Sequence, residues 1–412
     1  MINFVIFATL PSSKSTPHMT TDTQLPVENF DDIRPYDDHQ FREKIRKLVK
    51  EPGFEHAVRY VMPGVDYPAF VENLVSVESQ EHFQKRVMGP FLEMLVAKTT
   101  DGLTVDGLDN YDPGKSYTFI TNHRDIVLDA SFLNLCFIRN NMPLTQVAIG
   151  NNLLIFDWIT DLVKLNRSFI VKRDTGVREA LEAARHLSAY IHHTVENMHE
   201  SVWIAQREGR AKDSNDRTQE SVVKMLALAG GDDPGDNLER LNITPVAISY
   251  EYDPNDYLKV REFLLRRRNP DYHKTQRDDL FSMETGLLGH KGRVHFRIGH
   301  CISDELAGAH VESRSQVARK VCDILDRSIH CGYCIFPCNY IAFDRLEGTA
   351  RYAEKYTGAD QRRFNSYIEG QLAKVDVENI SEEERGFMLE TMLQMYANPL
   401  RNQLMAKECT LR

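Results

Sequence analysis

An alternation between residues 116 and 252 limits what this chain can fold into more than any other feature. Runs rich in β-branched and aromatic residues, "SYTFIT" (116–121), "LTQVAIG" (144–150), "SFIVKR" (168–173), "SVWIAQ" (201–206) and "ITPVAISYEY" (243–252), are separated by helix-like stretches. Those stretches are "ASFLNLCFIRN", "NLLIFDWITDLVKL", "TGVREALEAARHLSAYIHHTVENMH" and "TQESVVKMLALAG". Strand, helix, strand in repetition requires crossovers, and crossovers build a mostly parallel sheet flanked by helices. The expected fold is therefore α/β. A further strand is expected at "RVHFRIGHCI" (293–302), after a basic and polar stretch at 259–292. In such sheets ligands bind where the loops converge at one end of the strands.

The flanks read differently. Apolar residues at helical spacing in "DDHQFREKIRKLV" and "EHFQKRVMGPFLEMLVAKTT" predict helices over 27–110. The same period in "RSQVARKVCDILDRSIH" and "EEERGFMLETMLQMYANPLRNQLM" predicts a helical tail over 313–412. The expected organisation is a disordered lead-in at 1–26, a helical region at 27–110, an α/β domain at 111–312 and a helical region at 313–412. The lead-in has a short apolar run without the charged flank of a signal peptide, and Met19 is a candidate start. No run approaches the ~20 apolar residues of a membrane span.

A net charge of −10 argues against a dedicated nucleic-acid binder, which is usually basic. Seven cysteines, an odd number, suit a reducing compartment better than a disulfide framework. "HCGYCIFPC" gathers His330, Cys331, Cys334 and Cys338, but no second ligand pair follows, so buried free thiols are expected rather than zinc. The basic run "REFLLRRRNPDYHK" (261–274) fits a solvated helix end as well as it fits contact with anionic lipid or with the phosphates of a thioester carrier.

The strand ends carry the chemistry. The first ends in Asn122-His123, followed by Asp125 and Asp129. The third ends in Lys172-Arg173, and the fourth runs into "QREGRAKD", with Glu208, Gly209, Arg210 and Lys212. A neutral imidazole accepts a proton from an alcohol or amine, and a carboxylate on its other nitrogen fixes the tautomer. No Ser or Cys nucleophile shares the stretch, so the substrate's own hydroxyl takes that role. Guanidinium and ammonium groups suit a phosphate. Together these residues imply base-assisted attack by a phosphate-bearing alcohol on an activated acyl group. Taken singly, each has a plainer reading: a capped helix start with a surface histidine, solvated loop charges, and a polar turn.

The same residues resemble the phospholipid/glycerol acyltransferase family, which includes lysophosphatidic acid and glycerol-3-phosphate acyltransferases. "NHRDIVLD" is similar to the family's Asn-His motif with a following Asp, "SFIVKR" to its Phe-Ile motif with Arg173, "REGRAKD" to its Glu-Gly motif, and "TPVAIS" to its motif around Pro245. The four occur in order across 116–250.

The resemblance implies a glycerol-3-phosphate acyltransferase-like fold. It implies His123 as general base with Asp129 or Asp125 as its partner. Five residues rather than the family's four separate His123 from Asp129, and Asp129 is preferred for its depth in the helix. It further implies Asn122, Lys172, Arg173, Glu208, Gly209, Arg210 and Lys212 around the acceptor. The implied partners are an acyl-CoA or acyl carrier protein thioester as co-substrate and a glycerol-phosphate or lysophospholipid acceptor, with no metal or redox cofactor. The implied location is cytoplasmic, or peripheral on the cytoplasmic face of a membrane. Two alternatives remain: another acceptor, such as an amino-lipid or a polyol, or a catalytically silent lipid-binding protein of the same fold.

Overall fold

The computed structural model describes residues 29–173, 176–306 and 313–410; the lead-in 1–26 and Met19 lie outside them. The predicted strands form, as β2 (Thr118–Thr121), β3 (Thr145–Gly150), β4 (Ser168–Val171), β5 (Ser201–Ala205), β6 (Ile243–Tyr250) and β7 (Val294–Ile298). With β1 (Leu103–Asp106) they make one sheet in the order β1-β7-β6-β2-β5-β3-β4. Five strands, β6 to β4, run parallel, and β7 is antiparallel to β6. The chain is an α/β protein with a mostly parallel sheet between helices.

Both faces are covered, as a parallel sheet requires. On neighbouring residues of β2, Phe119 packs on one side with Phe132, Leu133 and Phe137 of the helix Leu128–Arg139. Ile120 packs on the other with Leu187 and Ile191 of the helix Val177–His192. Val317, Val321 and Leu325 of the helix Arg314–Gly332 join that second layer, so the start of the C-terminal region lies against the sheet. A separate apolar cluster holds the helices Pro337–Glu347, Gly358–Leu372 and Glu382–Thr410 together.

The structure departs from the sequence reading in four places. β1 lies inside the stretch 27–110 read as helical; at four residues it is too short to show an alternating pattern. The helix read from 152 starts only at Asp157, after a 3₁₀ turn at Asn151–Leu153. The polar stretch 259–292 contains most of two helices, Asp256–Arg268 and Gln276–Leu288. Pro234–Arg240 is also helical, opened by Asp233 accepting from Gly235 N and Asp236 N.

Lys291 locks the turn between the helix Gln276–Leu288 and β7. It is fully buried, and its ammonium donates to Gly289 O at 2.7 Å, Thr99 Oγ1 at 3.1 Å and Leu287 O at 3.3 Å. Burial pushes this group down from 10.5 to about 8. Between those values the unfolded chain holds a proton that the folded chain has released, so stability rises with pH across that window. Denaturant titrations of wild type and Lys291→Met from pH 8 to 10.5 should show wild type gaining on the variant by at most about 1.4 kcal/mol per pH unit. A stability difference that does not change with pH would exclude this role for Lys291.

Candidate functional site

Strand order brings the predicted residues together. Thr121, the last residue of β2, pairs with Ala205, the last of β5, and Gly150 at the end of β3 pairs with Val171 at the end of β4. The residues that follow therefore leave the sheet side by side at its carboxyl edge. They border a cleft of about 1020 Å³ lined by His123, Lys172, Arg173, Glu208, Gly209, Arg210 and Lys212. That volume lies at the upper end for a small-molecule site. The inner wall carries Ile126, Ala148, Val171, Ala183, Leu187 and Met225, so cationic and apolar surfaces share one cavity.

The histidine corner is built by a single carboxylate oxygen. His123 Nδ1 lies 2.8 Å from Asp129 Oδ2. The same oxygen accepts the backbone N–H of Arg124 at 2.7 Å and of Asp125 at 3.0 Å. Asp129 is buried, and the His123 side chain keeps 13% of its surface exposed. With Nδ1–H donating to the carboxylate, the neutral ring has its lone pair on Nε2. Trp203 meets the ring edge-on, with centroids 6.0 Å apart.

Two expected roles need correction. Asp125 does not pair with His123. Its Oδ1 accepts Val127 N and Leu128 N, each at 2.8 Å, and so closes the turn before the helix Leu128–Arg139. Burial, and then the charge of Asp129, push its carboxyl up. Gly286 makes room for it, since a Cβ there would lie 2.0 Å from Asp125 Oδ2. Asn122 does not face the cleft. It is fully buried, and its carboxamide exchanges two hydrogen bonds with the backbone of Ile248, at 2.8 and 3.0 Å. It extends the β2–β6 ladder by one side-chain rung and so anchors the corner.

The cations differ in how far they are committed. Lys172 Nζ is 2.6 Å from Asp32 Oδ2. Lys212 is bonded to the buried Glu262, which also meets Arg266 at 2.9 Å and Lys274 at 3.3 Å. Arg173 Nη1 stands 3.6 Å from Glu208 Oε1, an open ion pair. Arg210 Nη1, together with Nε of the neighbouring Arg207, is buried without a hydrogen-bond partner among the described residues. Gly209 has φ +69°, a left-handed conformation that disfavours a side chain, and a Cβ there would meet only open space. Glu208 N–H is already donated to Gln219 Oε1 at 2.7 Å.

Sequence reasoning missed Trp203, which looked like strand filling, and Arg207, which opens "REGRAKD" but was given no role. It also missed Asn151, whose Oδ1 accepts Arg173 N at 2.9 Å and holds that loop in place. The basic run is ion-paired at the surface, with the side chains of Arg266 and Arg267 about half exposed. Arg268 forks onto Glu384 at 2.7 and 2.8 Å, and Arg267 pairs with Glu383. Cys331, Cys334 and Cys338 are free, and the Cys338 thiol donates to Glu251 O at 3.2 Å. No helix among the described residues is long and apolar enough to cross a membrane.

No family model matches the chain, and no curated protein does. Among solved structures it aligns with the 1-acyl-sn-glycerophosphate (LPA) acyltransferase PlsC from Thermotoga maritima. The TM-score is 0.31 and the identity 10%, over 69% of this chain and 95% of that one. A likeness that distant leaves the site to be judged on its own residues.

Removing the Asn122 carboxamide strands two buried backbone groups of Ile248. Asn122→Ala should cost about 2–6 kcal/mol, at about 1–3 for each of the two unsatisfied groups. Asp125→Asn keeps the acceptor oxygen that closes the turn and should cost under about 1 kcal/mol. Equal losses in urea titrations of the two variants would refute this division of labour.

Proposed function

We propose that the chain is an acyltransferase moving a fatty acyl group from an acyl thioester, of coenzyme A or acyl carrier protein, to the hydroxyl of a glycerol-phosphate or lysophospholipid acceptor. The observation that carries the reading is the 2.8 Å contact between His123 and Asp129 on the wall of a cleft that also holds Arg173 and Arg210.

In this reading the acceptor oxygen attacks the thioester carbonyl carbon while His123 Nε2 takes the hydroxyl proton. Asp129 holds the ring and stabilises the imidazolium. The tetrahedral oxyanion is met by the amides of the Gly209–Arg210 turn. As it collapses, the C–S bond breaks and the departing sulfur takes the proton back from His123. Arg210, Arg207 and Arg173 hold the acceptor phosphate, with guanidinium groups suited to paired oxygens. Arg173 exchanges its loose contact with Glu208 for the ligand. The acyl chain lies along the apolar inner wall. With a lipid acceptor, the protein works in the cytoplasm or at the cytoplasmic face of a membrane.

The alternative of a silent lipid-binding protein rested on the displaced aspartate, and a carboxylate within hydrogen-bond distance of the imidazole weighs against it.

Thiol release from palmitoyl-CoA, measured with glycerol-3-phosphate, lysophosphatidic acid and lyso-amino-lipids in turn, tests the reading. One acceptor should stimulate release, and His123→Ala should lower the stimulated rate at least about 100-fold while the circular dichroism spectrum is unchanged. Asp129→Asn should lose about 10²–10⁴-fold through the wrong tautomer, and Asp125→Asn should stay within about threefold because its carbonyl oxygen still closes the turn. Near-normal turnover by folded His123→Ala sinks the mechanism.

A further inference from the structure

Arg124 follows the base in sequence but turns away from the cleft. Its side chain is 7% exposed, and Nη2 lies 2.7 Å from Asp216 Oδ2, a carboxylate with no exposed surface. Asp216 belongs to the loop that carries Glu208, Gly209, Arg210 and Lys212. Its Oδ2 also accepts Tyr333 OH at 2.5 Å, and its backbone carbonyl accepts His330 Nε2–H at 2.9 Å. Two residues on, Thr218 donates its N–H and its hydroxyl to Asp326 Oδ1 at 2.7 and 2.6 Å. Asn398 Nδ2 donates to Asp213 O at 2.7 Å. The cationic loop is thus held from behind at 213, 216 and 218 by the C-terminal helices, and from the side by Arg124. Arg124, Asp216 and Tyr333 are absent from the cleft wall, so none of them is placed to touch a ligand there.

A buried ion pair is a poor device for stability alone, because desolvation offsets much of its attraction and apolar residues of similar volume often do as well. It does fix geometry. Here one Nη2–Oδ2 contact joins the two segments, with Arg124 Nη1 and Asp216 Oδ1 buried and unpartnered among the described residues, and because both groups are buried that contact holds the separation of the segments.

We infer that Arg124 is a positioning residue that sets the separation between the His123 corner and the cationic loop, through Asp216, with Tyr333 of the C-terminal region as the second anchor. The functional consequence rests on the acyl-transfer reading of the cleft. Under that reading, loosening the anchor misplaces the acceptor phosphate against the base.

Arg124→Lys keeps the charge but replaces the long planar guanidinium that reaches Asp216 with a shorter ammonium, and Tyr333→Phe removes a single hydroxyl. In thiol-release assays with palmitoyl-CoA and glycerol-3-phosphate, Arg124→Lys should raise the acceptor KM about tenfold or more. Tyr333→Phe should raise it about threefold, and the palmitoyl-CoA KM should stay within about twofold in both. A merely structural defect would lower kcat through lost folded protein and leave the acceptor KM alone. Hydrogen–deuterium exchange supplies a readout that needs no turnover. Amides at 207–218 should exchange faster in both variants while those of β2 and β5 hold their protection. Unchanged exchange at 207–218, or an unchanged acceptor KM in both variants, overturns the inference. If wild type transfers to no acceptor, the acyl-transfer reading fails, and the exchange data still decide whether Arg124 holds the loop.

Discussion

The candidate site depends on one oxygen. Asp129 Oδ2 gathers the imidazole N–H of His123 and the backbone N–H groups of Arg124 and Asp125 in a buried corner. Each buried donor left unpaired would cost about 1–3 kcal/mol, so the three together fix where the chain turns and which way the ring faces. This arrangement explains how His123 and Asp129 meet at 2.8 Å across five intervening residues. The helix Leu128–Arg139 begins only one residue before Asp129, and the additional length is taken up in the turn ahead of it, closed by Asp125. Helical geometry would have been intolerant of an extra residue, which rotates a side chain by about 100°. A turn capped by a carboxylate absorbs it.

Charge in the cleft is distributed with the same economy. Glu262 draws in Lys212, Arg266 and Lys274, and Asp32 draws in Lys172, so much of the positive charge is settled within the protein. What remains is Arg173, with a partner at 3.6 Å, and buried N–H groups of Arg207 and Arg210 without one. Buried donors of this kind are uncommon in folded proteins, because an unpaired polar group loses its hydration without return. An anion with several acceptor oxygens would complete them. The anionic-ligand reading therefore rests on the uncommitted arginines, and the lysines matter mainly for the shape of the loop.

Much of this was legible in the sequence, for definite reasons. His123, Arg173 and the Glu208–Arg210 turn lie just beyond strands whose β-branched and aromatic runs are unmistakable, and parallel strands must present their ends together. The choice between Asp125 and Asp129 was not legible, because it depends on where a helix starts, and boundaries are the weakest part of any pattern reading. Asn122 was misjudged because a carboxamide can stand in for a peptide group, and here it pairs with Ile248, 126 residues away. The run Arg266–Arg268 was ambiguous for the same reason. Arg266 pairs locally with Glu262, but the partners of Arg267 and Arg268, Glu383 and Glu384, lie more than a hundred residues further on, and no local pattern announces those pairs. β1 was hidden by its brevity, and by joining the sheet through β7, itself 188 or more residues distant.

The helical tail had no evident purpose in the sequence, and its contacts supply one. Among the described residues, the loop after β5 has no helix or strand of its own between Gln206 and Glu220, so its conformation depends on partners elsewhere in the fold. Here the helix Arg314–Gly332 covers one face of the sheet and offers Asp326 and His330 to the loop, followed by Tyr333, while the helix Glu382–Thr410 offers Asn398. Those partners act on Asp213, Asp216 and Thr218 rather than on the arginines, which leaves the arginine side chains available to the cleft. Acidic and carbonyl groups behind the loop also offset its charge without competing for a ligand in front of it. The tail and the sheet therefore form one device: the sheet delivers the loop to the edge where the other strand-end loops emerge, and the tail ties its backbone and Asp216 in place there.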